Sequence, residues 1–236
     1  MTFGTSVTIS NNSSAVGPGL AAYGGSLYIA WAGTDGRRRI NYMSSTDGVT
    51  FGNKTLFGSE ASFGNPVLAG SSNQLLIAWN GTDSAHTINI GCIVCTGLNH
   101  GTKNSYSPGS LFGVGLAAIN DNFFLAVNRN GTMTILSSPA ANPLTLTQQA
   151  TVAGTIAFGP AIAGAGGFAY AGWVGSGNSL NLGTFQVAGT SVALLSQSQT
   201  PAGQISQDNP AVAVFNGHVY YAWTGTDEHI SIEQVQ

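Results

Sequence analysis

Charge is what this sequence most lacks. Only 6% of its 236 residues are Asp, Glu, Lys or Arg, against roughly 25% in an ordinary soluble domain. Six residues are Lys or Arg, three of them consecutive at Arg37–Arg39. That leaves no basic face to neutralise a phosphate backbone, so nucleic acid is excluded as a partner. Long apolar runs are missing too. No stretch reaches the roughly 18–20 residues that cross a bilayer, and no membrane insertion is expected. The opening MTFGTSVTIS has neither the charged nor the apolar region of a secretory leader. Cysteine occurs twice, at Cys92 and Cys95 in GCIVCTG. A lone CxxC invites a redox or zinc reading, but zinc needs about four ligands. The alternation of TINIGCIVCTG also puts residues three apart on opposite faces of a strand. Two reduced, structural thiols are expected, with no metal and no cofactor. His86, His100, His218 and His229 show no metal-binding spacing.

What is present describes a folded, neutral, turn-rich chain. Apolar residues make up 43%, glycine occurs 33 times and the net charge is −3, whereas disorder needs low hydrophobicity with high charge. No stretch sustains a helical period. Self-similarity dominates instead. Five segments align, beginning near Gly17 (GPGLAAYGGSLYIAWAGTD), Asn65 (NPVLAGSSNQLLIAWNGTD), Gly113 (GVGLAAINDNFFLAVNRNG), Gly159 (GPAIAGAGGFAYAGWVGSG) and Asn209 (NPAVAVFNGHVYYAWTGTD). Trp31, Trp79, Val127, Trp173 and Trp223 mark equivalent positions, at steps of 48, 48, 46 and 50 residues. Passing from Trp223 through the C-terminus and round to Trp31 takes 44 more.

Each unit reads as short strands. A P-x-L-A run precedes a tight turn such as Gly24-Gly25 or Asn216-Gly217, the dipeptides hairpins favour. An apolar strand then ends at Trp, Gly-Thr-Asp follows, and a third alternating strand comes next. Four short antiparallel strands per unit, repeated five times, predict an all-β, five-bladed β-propeller filling residues 1–236 as one domain. The last unit stops after its third strand, and Ser6–Ser10 is expected to supply the fourth and close the ring.

The repeated side chains have two readings each. The tryptophans either fill the gap between blades or show an edge at the rim, where a sugar ring stacks on indole. The aspartates either bond their own turn backbone or fix sugar hydroxyls. Topology places the Gly-Thr-Asp turns on the rim that also carries the entries to the first strands. The candidate carbohydrate site is therefore Trp31, Thr34, Asp35, Asn65, Trp79, Thr82, Asp83, Trp173, Asn209, Trp223, Thr226 and Asp227, a few placed polar groups beside apolar surface. The first strands are small and uncharged, while glycoside hydrolysis takes a pair of carboxylates. Asp208 alone lies near the channel, so no catalysis is expected.

The unit NPxxA…LxxAWxGTD is similar to the repeats of bacterial β-propeller lectins, most closely at Thr34-Asp35-Gly36. Five blades in this length also resemble tachylectin-type lectins. The resemblance implies a multivalent lectin binding neutral glycans at several blade rims, acting outside the cell or at its surface, with oligomers open. SSTDGVTF (44–51) resembles the Asp-box of sialidase-type propellers, one residue short, in a turn where such boxes are structural. Sialidases need three separated arginines, which speaks against that activity here. The alternatives are a glycosidase using Asp208, Glu228 or Glu60, and a protein-interaction scaffold.

Overall fold

Alternating apolar residues punctuated by turn dipeptides make the chain a succession of hairpins. The computed structural model describes residues 6–200 and 204–235. The first sheet holds β1 (Gly19–Tyr23), β2 (Ser26–Ala32), β3 (Arg39–Ser45) and β4 (Thr55–Ala61). The second holds β5 (Val67–Gly70), β6 (Gln74–Asn80), β7 (Ile88–Cys95) and β8 (Lys103–Tyr106). The third holds β9 (Val114–Ile119), β10 (Asn122–Arg129), β11 (Thr132–Ser138) and β12 (Thr147–Val152). The fourth holds β13 (Ala161–Ala165), β14 (Phe168–Val174), β15 (Leu180–Ala188) and β16 (Ser191–Gln199). The fifth holds β17 (Ala211–Phe215), β18 (His218–Thr224) and β19 (Ile230–Val235). Every pairing is antiparallel between chain neighbours, and the protein is a five-bladed β-propeller. A 3-10 turn at Ser176–Asn178 is the one helical element among the described residues, so none of their helices is long and apolar enough to cross a membrane.

The inner hairpins turn on residues with positive φ. Gly24-Gly25 stand at 55° and 74°, and Asn216-Gly217 at 51° and 78°. Asn120-Asp121 (48°, 63°) and Gly166-Gly167 (60°, 83°) do the same in the third and fourth blades. Two successive left-handed residues match the twist of the strands they join. Near the axis the first strands approach closely. A Cβ on Gly115 would meet the Pro160 carbonyl oxygen at 2.9 Å, which is why these strands carry small residues.

Apolar side chains collect in seams between blades rather than in one central core. Ala30 and Ile40 of the first blade meet Leu68, Leu75, Ile77 and Trp79 of the second. Ile88 and Ile90 meet Leu116, Leu125 and Val127 at the next seam. Ile135 and Phe124 then meet Trp173 and Phe185, and Val174 and Leu180 meet Tyr221 and Trp223. At about 25 cal/mol per Å² of apolar surface buried, these seams are the main attraction holding neighbouring blades together.

The fifth seam is different. Leu20 on the first blade is 57% exposed, and Phe215, Ile230 and Ile232 on the fifth are 50%, 84% and 68% exposed. The faces that would form this seam lie open. Ser6–Ser10 adds no fourth strand to the fifth sheet, which has three strands among the described residues. Ile9 instead shares a small cleft with Pro18, Ile29 and Trp31 on the first blade. It thus stays on the first blade's side of the open seam, where β19 cannot pair with it.

The cysteines also depart from expectation. They form a Cys92–Cys95 disulfide. Leu75 pairs with Val94 and Leu76 with Cys92, so β7 carries an extra residue between the two pairs. That bulge converts a spacing of three, which alternation would split between faces, into one that brings both sulfurs to the same side.

Candidate functional site

The tryptophans go into the seams. Trp31, Trp79, Trp173 and Trp223 are 5%, 0%, 2% and 8% exposed. Trp79 stands edge-on to Phe57, ring centroids 5.5 Å apart at 76°, with Lys103 Nζ 5.8 Å from its centroid. Gly91 and Gly183, on the third strands, leave room beside the indoles of Trp79 and Trp173, each of which lies 3.3 Å from where a Cβ would be. Stacking a sugar needs a free ring face, and these rings have none. The rim position expected for them is corrected: each follows its strand neighbours inward, as Ile29 precedes Trp31 and Ile77 precedes Trp79 on the same strand face. Trp31, whose own seam is open, is 5% exposed and lines two clefts there, one beside Ile9 and Pro18 and one beside Thr34 and Asp35.

The aspartates close their own turns. Asp35 accepts from the Arg39 backbone N–H at 3.3 Å and from Arg39 Nε at 2.5 Å. Asp83 accepts from the Ala85 and Thr87 N–H groups (3.0 and 3.2 Å) and from Thr87 Oγ1 (2.9 Å). Asp227 accepts from the backbone N–H and Nδ1 of His229, at 3.1 and 2.9 Å. The partner is always the residue just before the third strand's first Ile. The turn's glycine donates to that residue's carbonyl: Gly33 to Arg39 (2.8 Å), Gly81 to Thr87 (2.7 Å) and Gly225 to His229 (2.9 Å). Asn41 and Asn89 cap the first two of these carbonyls from the strand, both at 2.8 Å. A Cβ on Gly225 would lie 2.6 Å from Asp227 Oδ1, so a side chain there would push the carboxylate off its His229 partner. The Arg39 hydrogen bond holds the Asp35 carboxyl below its ordinary range, and the His229 ring does so for Asp227. At Asp83 desolvation pushes upward and the Thr87 bonds outweigh it, so the direction is again down. Thr34, Thr82 and Thr226 project into solvent beside these turns.

Asn65 and Asn209 stand elsewhere, at the mouth of the central channel. Asn209 Oδ1 accepts from the Gly159 N–H at 2.7 Å, and its Nδ2 lies 2.9 Å from where a Gly113 Cβ would be. Asn65 Nδ2 lies 2.8 Å from the same point on Gly17. The five repeat starts therefore converge on the axis, two asparagines filling the space three glycines leave. A cavity of about 360 Å³ there is bounded by all five first strands. The twelve predicted residues thus occupy three places: seams, turns and channel mouth.

Clefts between neighbouring blades, on the face of the Gly-Thr-Asp turns, were not foreseen. One of about 570 Å³ lies between the first and second blades, lined by Arg37–Arg39, Ser59, Phe63 and Thr82. Another of about 220 Å³ lies between the second and third, lined by Ala85, Pro108, Leu111, Phe112, Asn128 and Asn130. A third, about 250 Å³, lies where Asn11–Ser13 meet Thr34, Asp35, Arg39 and Lys54. Inter-blade linkers supply the floors of the first two clefts, residues 11–13 wall the third, and a repeated serine shapes the linkers. The hydroxyls of Ser62, Ser110 and Ser206 donate to the carbonyl two residues on, at 2.6, 2.9 and 3.0 Å. Those serines, 48 and 96 residues apart, were the legible signal. Asp83, Asp227 and Thr226 line none of these three clefts. On the opposite rim, Asp47 accepts from Ser45 Oγ and from the Val49 and Thr50 N–H groups at 2.8, 2.8 and 2.6 Å. It serves the turn. No group of three metal-ligating side chains occurs among the described residues.

No family model matches the sequence, and no curated protein matches it. Solved structures match in fold. A fungal lectin of Aleuria aurantia, a six-bladed β-propeller with a described fucose recognition mode, superposes with a TM-score of 0.65 at 10% identity, over 92% of this chain and 74% of that one. An exo-β-1,3-galactanase of Phanerochaete chrysosporium bound to galactose superposes at 0.63 and 13% identity, over 98% of this chain. This chain spans about six-tenths of the galactanase's length. A protein of unknown function from Dyadobacter fermentans superposes at 0.59 and 13% identity, over 93% and 78%. At these identities the likeness is one of fold. It includes propeller lectins, but it carries neither the bacterial kinship nor the Gly-Thr-Asp likeness drawn from sequence.

Proposed function

We propose that the protein is a non-catalytic, multivalent carbohydrate-binding protein that takes glycans in the clefts between neighbouring blades. The observation that carries this reading is the recurrence of clefts on one face: two are floored by a linker and edged by the polar turns of two successive blades, and the third lies between the N-terminal segment and the first blade's turn. The cleft between the second and third blades has no charged residue in its lining and suits a neutral sugar, with the Asn130 amide placed to meet hydroxyls beside Leu111 and Phe112. Thr34 and Thr82 offer hydroxyls in the other two. Small open clefts bind weakly one at a time, and several facing one glycan-bearing surface raise avidity by about 10²–10⁴. A non-catalytic role is supported by the channel mouth, whose lining holds no carboxylate, where glycoside hydrolysis needs two.

A glycan array tests the proposal, run with the parent chain and with each cleft plugged by Ser59→Trp or Asn130→Trp. Binding that falls stepwise as clefts are filled supports it. An array without response, or binding untouched by both plugs, refutes it. Release of galactose from a β-1,3-galactan would replace it with a glycosidase.

A further inference from the structure

We infer that the cleft between the first and second blades takes an acidic saccharide, its carboxylate or sulfate held by Arg37 and Arg38. The inference rests on the carbohydrate reading above and names the ligand class of one site. The protein's net charge is −3, yet three of its six Lys and Arg residues stand together here. No carboxylate is in the lining.

The three guanidinium groups are not equivalent. Arg39 is neutralised by Asp35. Arg38 is fixed but unpaired among the described residues. Its carbonyl accepts from the Ser62 N–H at 3.0 Å, which ties its backbone to the linker at φ 57°. Its guanidinium carbon lies 5.5 Å from the Phe63 ring centroid, and Phe63 also packs against His86, centroids 4.0 Å apart with the rings tilted by 41°. Its Nε is shielded from solvent and has no hydrogen-bond partner. Arg37 is exposed and makes no ion pair among the described residues. Two positive charges thus face a concave space with nothing spent on them.

A guanidinium presents parallel N–H donors that match the paired oxygens of a carboxylate or sulfate. Holding Arg38 against an aromatic ring before the ligand arrives removes part of the ordering cost of binding. Asp83 belongs to the neighbouring turn, but its oxygens are engaged by Thr87.

Calorimetric titration decides the matter, using galacturonic acid, galactose 6-sulfate, galactose and inorganic sulfate against the parent chain, Arg37→Gln and Arg38→Gln. The acidic sugars are expected to bind about tenfold more tightly than galactose, the scale of one charge-assisted hydrogen bond. Either substitution should remove that advantage, and raised salt should narrow the gap. Arg37 is exposed, so its variant folds whatever Arg38 contributes to the linker. Preference for one acidic sugar over the other identifies carboxylate or sulfate. Equal binding of galactose and the acidic sugars overturns this inference while the carbohydrate reading stands. Sulfate binding as tightly as its sugar overturns the saccharide part, and no binding of any sugar removes the broader reading as well.

Discussion

Three isoleucines hold the same place in three repeats and meet different surroundings. Ile40, Ile88 and Ile230 each follow the Gly-Thr-Asp turn at the start of a third strand. The first two are 0% exposed, in the seams between the first and second and the second and third blades, while Ile230 is 84% exposed. Truncating a buried isoleucine to alanine costs about 2–5 kcal/mol, the lost transfer energy plus a cavity. At an exposed strand position only the loss of β-branching remains, at most about 1 kcal/mol. Ile40→Ala and Ile88→Ala should therefore lower the urea midpoint strongly, and Ile230→Ala barely. Because the local sequences match, each variant controls for the others. Equilibrium urea unfolding followed by tryptophan fluorescence, with the slope checked for constancy, reads all three. An Ile230→Ala loss as large as that of Ile40→Ala would refute the open fifth seam, because only packing against the first blade could produce it.

Trp79→Ala should cost about 3–5 kcal/mol, as for other buried aromatics, and any loss of glycan binding should track the unfolded fraction rather than the folded one. Tyr221 donates to the Trp173 and Asn181 carbonyls at 3.3 and 3.1 Å, so Tyr221→Phe should lose about 1 kcal/mol in the same urea assay. Burial pushes the Tyr221 phenol well above its ordinary value, and ultraviolet titration should lose its last-ionising step in Tyr221→Phe. The Thr50 and Val49 N–H groups hold the Asp47 carboxyl far below its ordinary value of 3.8. Its contribution is therefore complete above that ordinary value and fades only as pH falls toward the lowered one. Carbon NMR should find Asp47 still ionised at about pH 3, where an ordinary aspartate is largely protonated.

Much of the fold was legible because its determinants are local. Gly24-Gly25 and Asn216-Gly217 mark hairpins wherever they occur, and alternation in LYIAW and RINYM marks strands without reference to anything distant. The inward course of the tryptophans was also written there, since Leu27, Ile29 and Trp31 share a face. Their place at the strand's end left a rim position open until packing decided it. Other features depend on partners far away in sequence. Phe215, Ile230 and Ile232 read like Tyr23, Ile40 and Tyr42, and nothing local distinguishes an apolar residue with a neighbouring blade from one without. The bulge that unites Cys92 with Cys95 needs the register of β6 against β7, which periodicity alone does not supply. The linkers carrying Phe63 and Leu111 have no period, so the clefts they floor were invisible except through the recurrent serines.

The Gly-Thr-Asp turns have a further consequence. Since the aspartate fastens the loop at its base, the tip contributes mainly backbone bonds, such as those the Arg38 and His86 carbonyls accept from the Ser62 and Ser110 N–H groups, and these leave the side-chain identity largely open. Asp35 and Asp83 span four residues to their partners and Asp227 spans two, yet the fastening survives both lengths. The tips differ, with Gly36-Arg37-Arg38 in one repeat, Ser84-Ala85-His86 in another and Glu228 in the last. Duplication of such a unit multiplies sockets whose contents mutate independently of foldability, so one ancestral motif can diversify into several unlike specificities on a single molecule.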